Sequence, residues 1–340
     1  TGGGCPHILA EPQRTNLLTY SEAFDNAYWT KSGASVTSGF TSPDGTDNAF
    51  KLVEDTSTGS HYLLKNIGGA DGSTNTASVF AKKEERTHIT LYSGANFTDS
   101  CTFNLVNGTS VDNGTSISKI EPISNGWYKC SVTSINKIVR TYIMLNNGSS
   151  TSYTGDGTSG VYIYGASLEE GSYPTSYIPT SGSTVTRNQD IFTRDGIGSL
   201  IGQTEGTIYC EIDYTLPSNA AGFSPLYIGE GTYQNAIYFA IEVGVLYSVI
   251  WENSTREVLI NMGALSQGVH KMAFSYKIGN TVAYLNGVNK GTDEANALPS
   301  PDKMYIGSTG TSTAVQKTLI KNIQVYDTAL SDDTLALLTT

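Results

Sequence analysis

Residues able to do covalent chemistry are few in this chain, and each lacks a partner that the chemistry requires. Glu211-Ile212-Asp213 puts two carboxylates on one face of an extended run, because side chains alternate along a strand. A retaining glycosidase built on a Glu-x-Asp-x-x-Glu strand needs two carboxyl groups about 5 Å apart. Leu216 stands where the last acid should be, so the pair reads as the solvated outer face of a strand. Gly155-Asp156-Gly157-Thr158-Ser159-Gly160 spells G-x-G-x-x-G. A strand-like run follows it, so no helix N-terminus is available for a phosphate. It is read as a loop, with Asp156 as a candidate calcium ligand, since carboxylate and carbonyl oxygens on a bent loop suit that cation. His7, His61, His88 and His270 form no HExxH pair, and no Gly-x-Ser-x-Gly elbow exists. No catalytic residue is assigned. Cys5, Cys101, Cys130 and Cys210 are too scattered for a disulfide framework or a zinc site; most are expected free and buried, with Cys101 and Cys130, in strand-like runs of one module, the one pair that could be neighbours.

Aromatic residues carry the remaining chemistry. Their faces stack on the apolar faces of pyranose rings while neighbouring amides and carboxylates hydrogen-bond the hydroxyls, as in concave sites generally. Trp29, Tyr62, Tyr92, Tyr153, Tyr233 and Trp251 are the candidate glycan-binding platforms. For any one of them, packing on a sheet is the commoner use, because aromatics favour strands. Trp127, between the turn Asn125-Gly126 and an alternating run, is assigned to the core.

The elements that must position these residues are strands. Thr87–Tyr92 and Cys101–Leu105 alternate polar and apolar residues, the period of a half-buried strand. Asp44-Gly45, Asn107-Gly108, Asn113-Gly114, Asn125-Gly126 and Asn147-Gly148 punctuate the runs with residues that tolerate positive φ. Further on, Ile208, Cys210, Ile212 and Tyr214 share a face. Met272, Phe274, Tyr276 and Ile278 do the same before a hairpin turn placed at Gly279-Asn280. Only the C-terminus reads as helical, with Ser331 as cap, Asp332 and Asp333 at the positive end of the dipole, and Leu335, Leu337 and Leu338 beyond. The Pro-bearing stretch Tyr173–Pro179 and the small, polar run Thr180–Thr184 read as a linker. The expectation is an all-β protein of two β-sandwich (jelly-roll) modules in tandem, residues 11–187 and 188–340.

Composition agrees with that class. The chain has 340 residues, enough for two cores, and is rich in Gly (36) and Tyr (21) with only 15% charged residues. A net charge of −11 without a basic run argues against nucleic acid as partner. No apolar stretch approaches the roughly 20 residues of a membrane-spanning helix, and no signal-peptide pattern opens the chain. It begins Thr1-Gly2-Gly3-Gly4-Cys5 rather than with Met, and residues 1–10 read as the end of an upstream segment.

Two stretches resemble known families. Leu9–Phe24, Trp29-Thr30-Lys31, Pro43–Thr46, Asn125–Val132, Gly160–Gly171 and Pro174–Thr180 resemble, in that order, carbohydrate-binding-module-like jelly rolls of bacteriophage tail and fibre proteins. His270–Tyr276, Tyr284–Gly287, Met304–Ser308 and Ile320–Ser331 resemble a laminin-G or concanavalin-A-like sandwich. The resemblance implies glycan recognition, with calcium a frequent cofactor. It implies a non-catalytic tail-fibre or spike segment of a virion that binds host cell-surface glycans during adsorption, beside other virion proteins and as a homotrimer. A purely structural virion part, or accessory modules of a polysaccharide-degrading enzyme, are the rival readings.

Overall fold

The computed structural model describes residues 7–68, 73–92, 100–135, 140–215, 222–232, 234–309 and 316–340. The chain is all-β apart from one α-helix and a single 3-10 turn among these residues, and it divides into two compact units. One is Arg14–Arg187; the other combines Thr1–Gln13 with Asn188–Thr340.

The first unit is a sandwich of two six-stranded antiparallel sheets. In one, strands run in the order Thr109–Asp112, Ser100–Asn104, His88–Tyr92, Arg140–Asn146, Tyr62–Asn66, Thr30–Ser32. In the other the order is Ile117–Pro122, Tyr128–Ile135, Thr74–Lys83, Gly160–Glu170, Ala49–Glu54, Ala34–Phe40. Alternation turns Ile89, Leu91, Phe103, Ile143 and Leu145 of the first sheet onto Leu52, Val79, Val132 and Ile163 of the second, all buried. The Asn-Gly signals do their expected work: Asn125 and Gly126 adopt φ of 59° and 77°, a conformation that few other residue types accept.

The stretch read as a linker is part of this unit. Thr175 and Ile178 are buried, the Thr180 hydroxyl donates to Leu18 O at 2.6 Å, and Val185–Arg187 pairs with Arg14–Asn16. Small polar residues next to prolines mark irregular backbone, and here that backbone is tied down by side-chain hydrogen bonds.

The second unit is also two six-stranded antiparallel sheets. Its back sheet runs Ile8–Ala10, Thr318–Tyr326, Glu205–Tyr214, Gly268–Lys277, Asn280–Leu285, Val288–Asp293. Ile8–Ala10 therefore belongs to the fold: it pairs antiparallel with Thr318–Ile320 as an edge strand of this sheet. In chain order, the first sandwich is inserted between this strand and the rest of the second. The hairpin turn is Ile278-Gly279, one position earlier than expected, because Lys277 and Asn280 close the ladder and leave Ile278 exposed. The helix Asp332–Thr339 lays Leu335 on Tyr209, Ala273 and Tyr284 of the back sheet, while Leu337 faces solvent. No helix among the described residues is long and apolar enough to cross a membrane.

The front sheet runs Phe192–Asp195, Lys303–Ile306, Leu226–Gly229, Ala236–Glu242, Val245–Glu252, Thr255–Ala264. Its inner face buries Ile228, Ile237, Phe239, Ile250 and Ile260. Its outer face carries the candidate site.

Candidate carbohydrate-binding face

On the outer face of the front sheet, register aligns residues from six strands into one row: Thr193, Tyr305, Tyr227, Tyr238, Val249 and Leu259 are successive cross-strand partners. The Tyr227 ring lies 5.2 Å from Tyr238 and 5.9 Å from Tyr305, within the range of favourable edge and offset contacts. These three tyrosines are nearly buried and form an apolar floor. Tyr247 and Trp251 rise beside it from strand Val245–Glu252, half-buried, on the same face as Val249. Four positions separate them, about 13 Å at the rise of a strand. Their partners on the next strand are Ala240 and Ala236, which leave depressions beside the two large rings.

The result is a cleft of about 200 Å³ lined by both rings together with Tyr238, Ala240, Glu242 and Arg256. A bulge shapes one end: pairing shifts between Ile250 and Trp251, so that Trp251 faces Arg256 and Glu257 is the extra residue. Bulges of this kind re-aim side chains. Two-residue turns close the two ends, Val243-Gly244 at φ of 50° and 75° and Asn253-Ser254 at 48° and 66°, the twist that hairpins favour. A positive φ is uncommon for a β-branched residue such as Val243. The cleft thus offers two aromatic rings with Val249 and Tyr238 between them, and a cation and a carboxylate at its ends.

Of the six aromatics expected as platforms, Trp251 lines this cleft. Trp29 does not serve as one: it is 2% exposed, packs against Phe24, and donates its indole N–H to Tyr20 O at 2.9 Å. Tyr92 is buried against Tyr142 on the outer face of the other unit's sheet, where the Tyr62 ring, half-buried, completes a small aromatic patch. Tyr153 is a strut. Its hydroxyl donates to Glu54 at 2.7 Å, and burial together with that carboxylate pushes the phenol well above its ordinary value. Tyr233 lies outside the described residues, as do Leu216 and Cys5. Trp127 is buried, though among Phe80, Tyr164 and Tyr177 outside the sheet rather than between sheets. Within the unit of residues 14–187, Tyr62 and Tyr92 share one patch, of which Trp29 and Tyr153 are not members. The partners of Trp251 are Tyr247, Tyr238 and Arg256, and the alternation Tyr247-x-Val249-x-Trp251 is the sequence signal that could have found the first of them.

Asp156 does not fit a calcium ion. One carboxylate oxygen accepts from Thr158 N, Thr158 Oγ1 and Ser159 N at 2.8, 3.0 and 2.7 Å, and the other accepts from Ser159 Oγ at 2.6 Å. These bonds, led by the Ser159 hydroxyl, hold its carboxyl well below the usual range. The Arg86 guanidinium is 3.8 Å away, where it would repel a second cation. Among the described residues no group of three or more His, Cys, Asp or Glu is arranged to hold a metal. Glu211 and Asp213 sit half-buried on the outer face of the back sheet, with the Tyr209 hydroxyl 3.4 Å from Glu211 and Lys321 4.0 Å from Asp213. Cys101, Cys130 and Cys210 are free and buried; burial and the charge of Asp112 push the Cys101 thiol up to about 12.

Solved structures similar to this chain include a sialidase carbohydrate-binding module, CBM40, from Ruminococcus gnavus bound to α2,3-sialyllactose. It is 19% identical with a TM-score of 0.37, over 44% of this chain and 98% of that one. A heptameric SAP-like pentraxin from Limulus polyphemus is 16% identical with a TM-score of 0.32, over 40% and 70%. The NanB sialidase of Streptococcus pneumoniae is 17% identical with a TM-score of 0.37, over 44% and 27%. At such scores the likeness identifies neither family nor ligand. No protein-family model matches the chain, and no curated protein does.

Proposed function

We propose that this protein is a non-catalytic carbohydrate-binding component, and that it binds saccharide in the cleft on the front sheet of the unit comprising residues 1–13 and 188–340. The observation that supports this is the pairing of two half-buried aromatic rings, Tyr247 and Trp251, with alanines opposite them and with Glu242 and Arg256 at the ends. Flat apolar platforms bounded by a few polar groups are what pyranose recognition needs. A non-catalytic role is favoured because Glu211 and Asp213 lie on the opposite sheet from this cleft. The setting in a phage tail fibre or spike, bound to host-surface glycans and assembled as a trimer on the virion, rests on the resemblance of residues 9–180 and 270–331. Avidity gives it a physical motive, since weak single sites gain strength when held together.

The test is a polysaccharide and glycan array probed with the full chain and with Trp251→Ala. Saccharide-specific retention that falls at least tenfold in the variant is expected. Retention that is unchanged in Trp251→Ala, or absent from the wild type across the array, would overturn the assignment.

A further inference from the structure

We infer that the cleft is built for an acidic polysaccharide, with a carboxylate-bearing sugar stacked on Trp251 and its carboxylate held by Arg256; this rests on the carbohydrate reading above. Arg256 is exposed, lines the cleft, and has no ion-pair or hydrogen-bond partner among the described residues. The other charged group lining the cleft is Glu242.

Register places the two charges at opposite ends. Glu242 pairs with Val245, whereas Arg256 pairs with Trp251, whose other neighbour is Ala236. Six strand positions from 236 to 242 span roughly 20 Å, beyond the ~8 Å screening length at physiological ionic strength. The carboxylate of a bound sugar beside Trp251 therefore feels Arg256 and is little repelled by Glu242. The net charge of the protein acts over longer distances and is screened in the same way. A guanidinium is also the group best shaped for the task, since its planar fork donates two parallel N–H bonds to one carboxylate. The bulge at Ile250/Trp251 explains how Arg256 comes to stand directly across from the tryptophan instead of one position along.

The test uses immobilised polygalacturonate, alginate and polysialic acid, each beside its carboxyl-reduced counterpart, with poly-glutamate as a non-sugar polyanion. The analytes are the full chain, Arg256→Gln and Trp251→Ala, with melting curves confirming that the exposed substitution leaves the fold intact. At least one acidic polymer should bind about tenfold more tightly than its reduced form, the worth of one charge-assisted contact. Arg256→Gln should erase that difference while leaving the residual, Trp251-dependent binding. If no pair shows a preference, or the preference survives in Arg256→Gln, this inference falls, and the carbohydrate reading stands as long as Trp251→Ala still abolishes binding. Poly-glutamate bound as tightly as any acidic sugar would overturn the saccharide itself as the ligand. Binding of every polymer that is indifferent to Trp251→Ala would overturn both.

Discussion

Replacing Arg86 by methionine probes how the inserted sandwich carries a buried charge. The Glu54 side chain is fully buried, and its carboxylate accepts from Arg86 Nε at 2.8 Å, from a second Arg86 nitrogen, from the Tyr153 hydroxyl at 2.7 Å and from Asp156 N at 3.0 Å. Burial alone would raise this carboxyl; the hydrogen bonds and charge of its partners overcome burial and hold it below its ordinary value. A group depressed on folding adds stability that is complete above its unfolded pKa, about 4.3, and is lost as the pH falls through the folded value. Without Arg86 the sign reverses, because the carboxylate keeps only two of its four donors in a site that disfavours charge. Removing one partner of a buried pair costs roughly 3–5 kcal/mol. The variant has a cheaper route, which is to protonate Glu54. At pH 7 that costs about 1.4 kcal/mol for each of the ~2.7 units separating glutamate's ordinary pKa from the solution. The penalty should therefore be about 4 kcal/mol at pH 7 and about 1 kcal/mol at pH 5. Calorimetry of the full chain at both pH values measures it: at roughly 2–4 °C per kcal/mol for a unit of this size, the transition of residues 14–187 should drop about 8–16 °C at pH 7. A loss below about 1 kcal/mol at pH 7, or one as large at pH 5, would refute the reasoning.

The insertion makes its own prediction. Residues 7–13 joined by a short glycine-rich linker to 188–340 should unfold cooperatively, whereas 188–340 alone should melt lower because the edge strand Ile8–Ala10 and its pairing with Thr318–Ile320 are missing; equal melting would show that strand to be dispensable. Cys101, Cys130 and Cys210 are buried, and burial raises all three thiols, so a thiolate-specific reagent near neutral pH should leave them unmodified in the native chain and label them in denaturant. Mass-mapped labelling of any of the three in the folded state would contradict their placement.

The strands were legible wherever a period of two ran against one core, as in Met272, Phe274 and Tyr276, and the turns wherever Asn-Gly marked a positive φ. Ile8–Ala10 was not, because its partner lies at the other end of the chain and nothing local records the pairing. The run Thr180–Thr184 looked like a linker since its hydrogen-bond partners, Leu18 and Tyr20, are remote in sequence. The candidate site was legible in one residue only. Trp29 and Trp251 both sit near polar residues in strand-like text, and whether a ring ends in a core or a cleft is decided by tertiary packing. The tyrosine floor depends on register across separate strands, which a single sequence does not display.

The same distribution of tryptophans allows the central claim to be tested directly. The chain has three, of which Trp29 and Trp127 are 2% and 1% exposed and Trp251 alone is half-buried, so quenching of tryptophan fluorescence by acrylamide reports chiefly on Trp251. At saturating concentrations of a saccharide retained on the array, quenching should fall to the level of the Trp251→Phe variant. Undiminished quenching with saccharide bound would place binding away from this cleft and contradict the account.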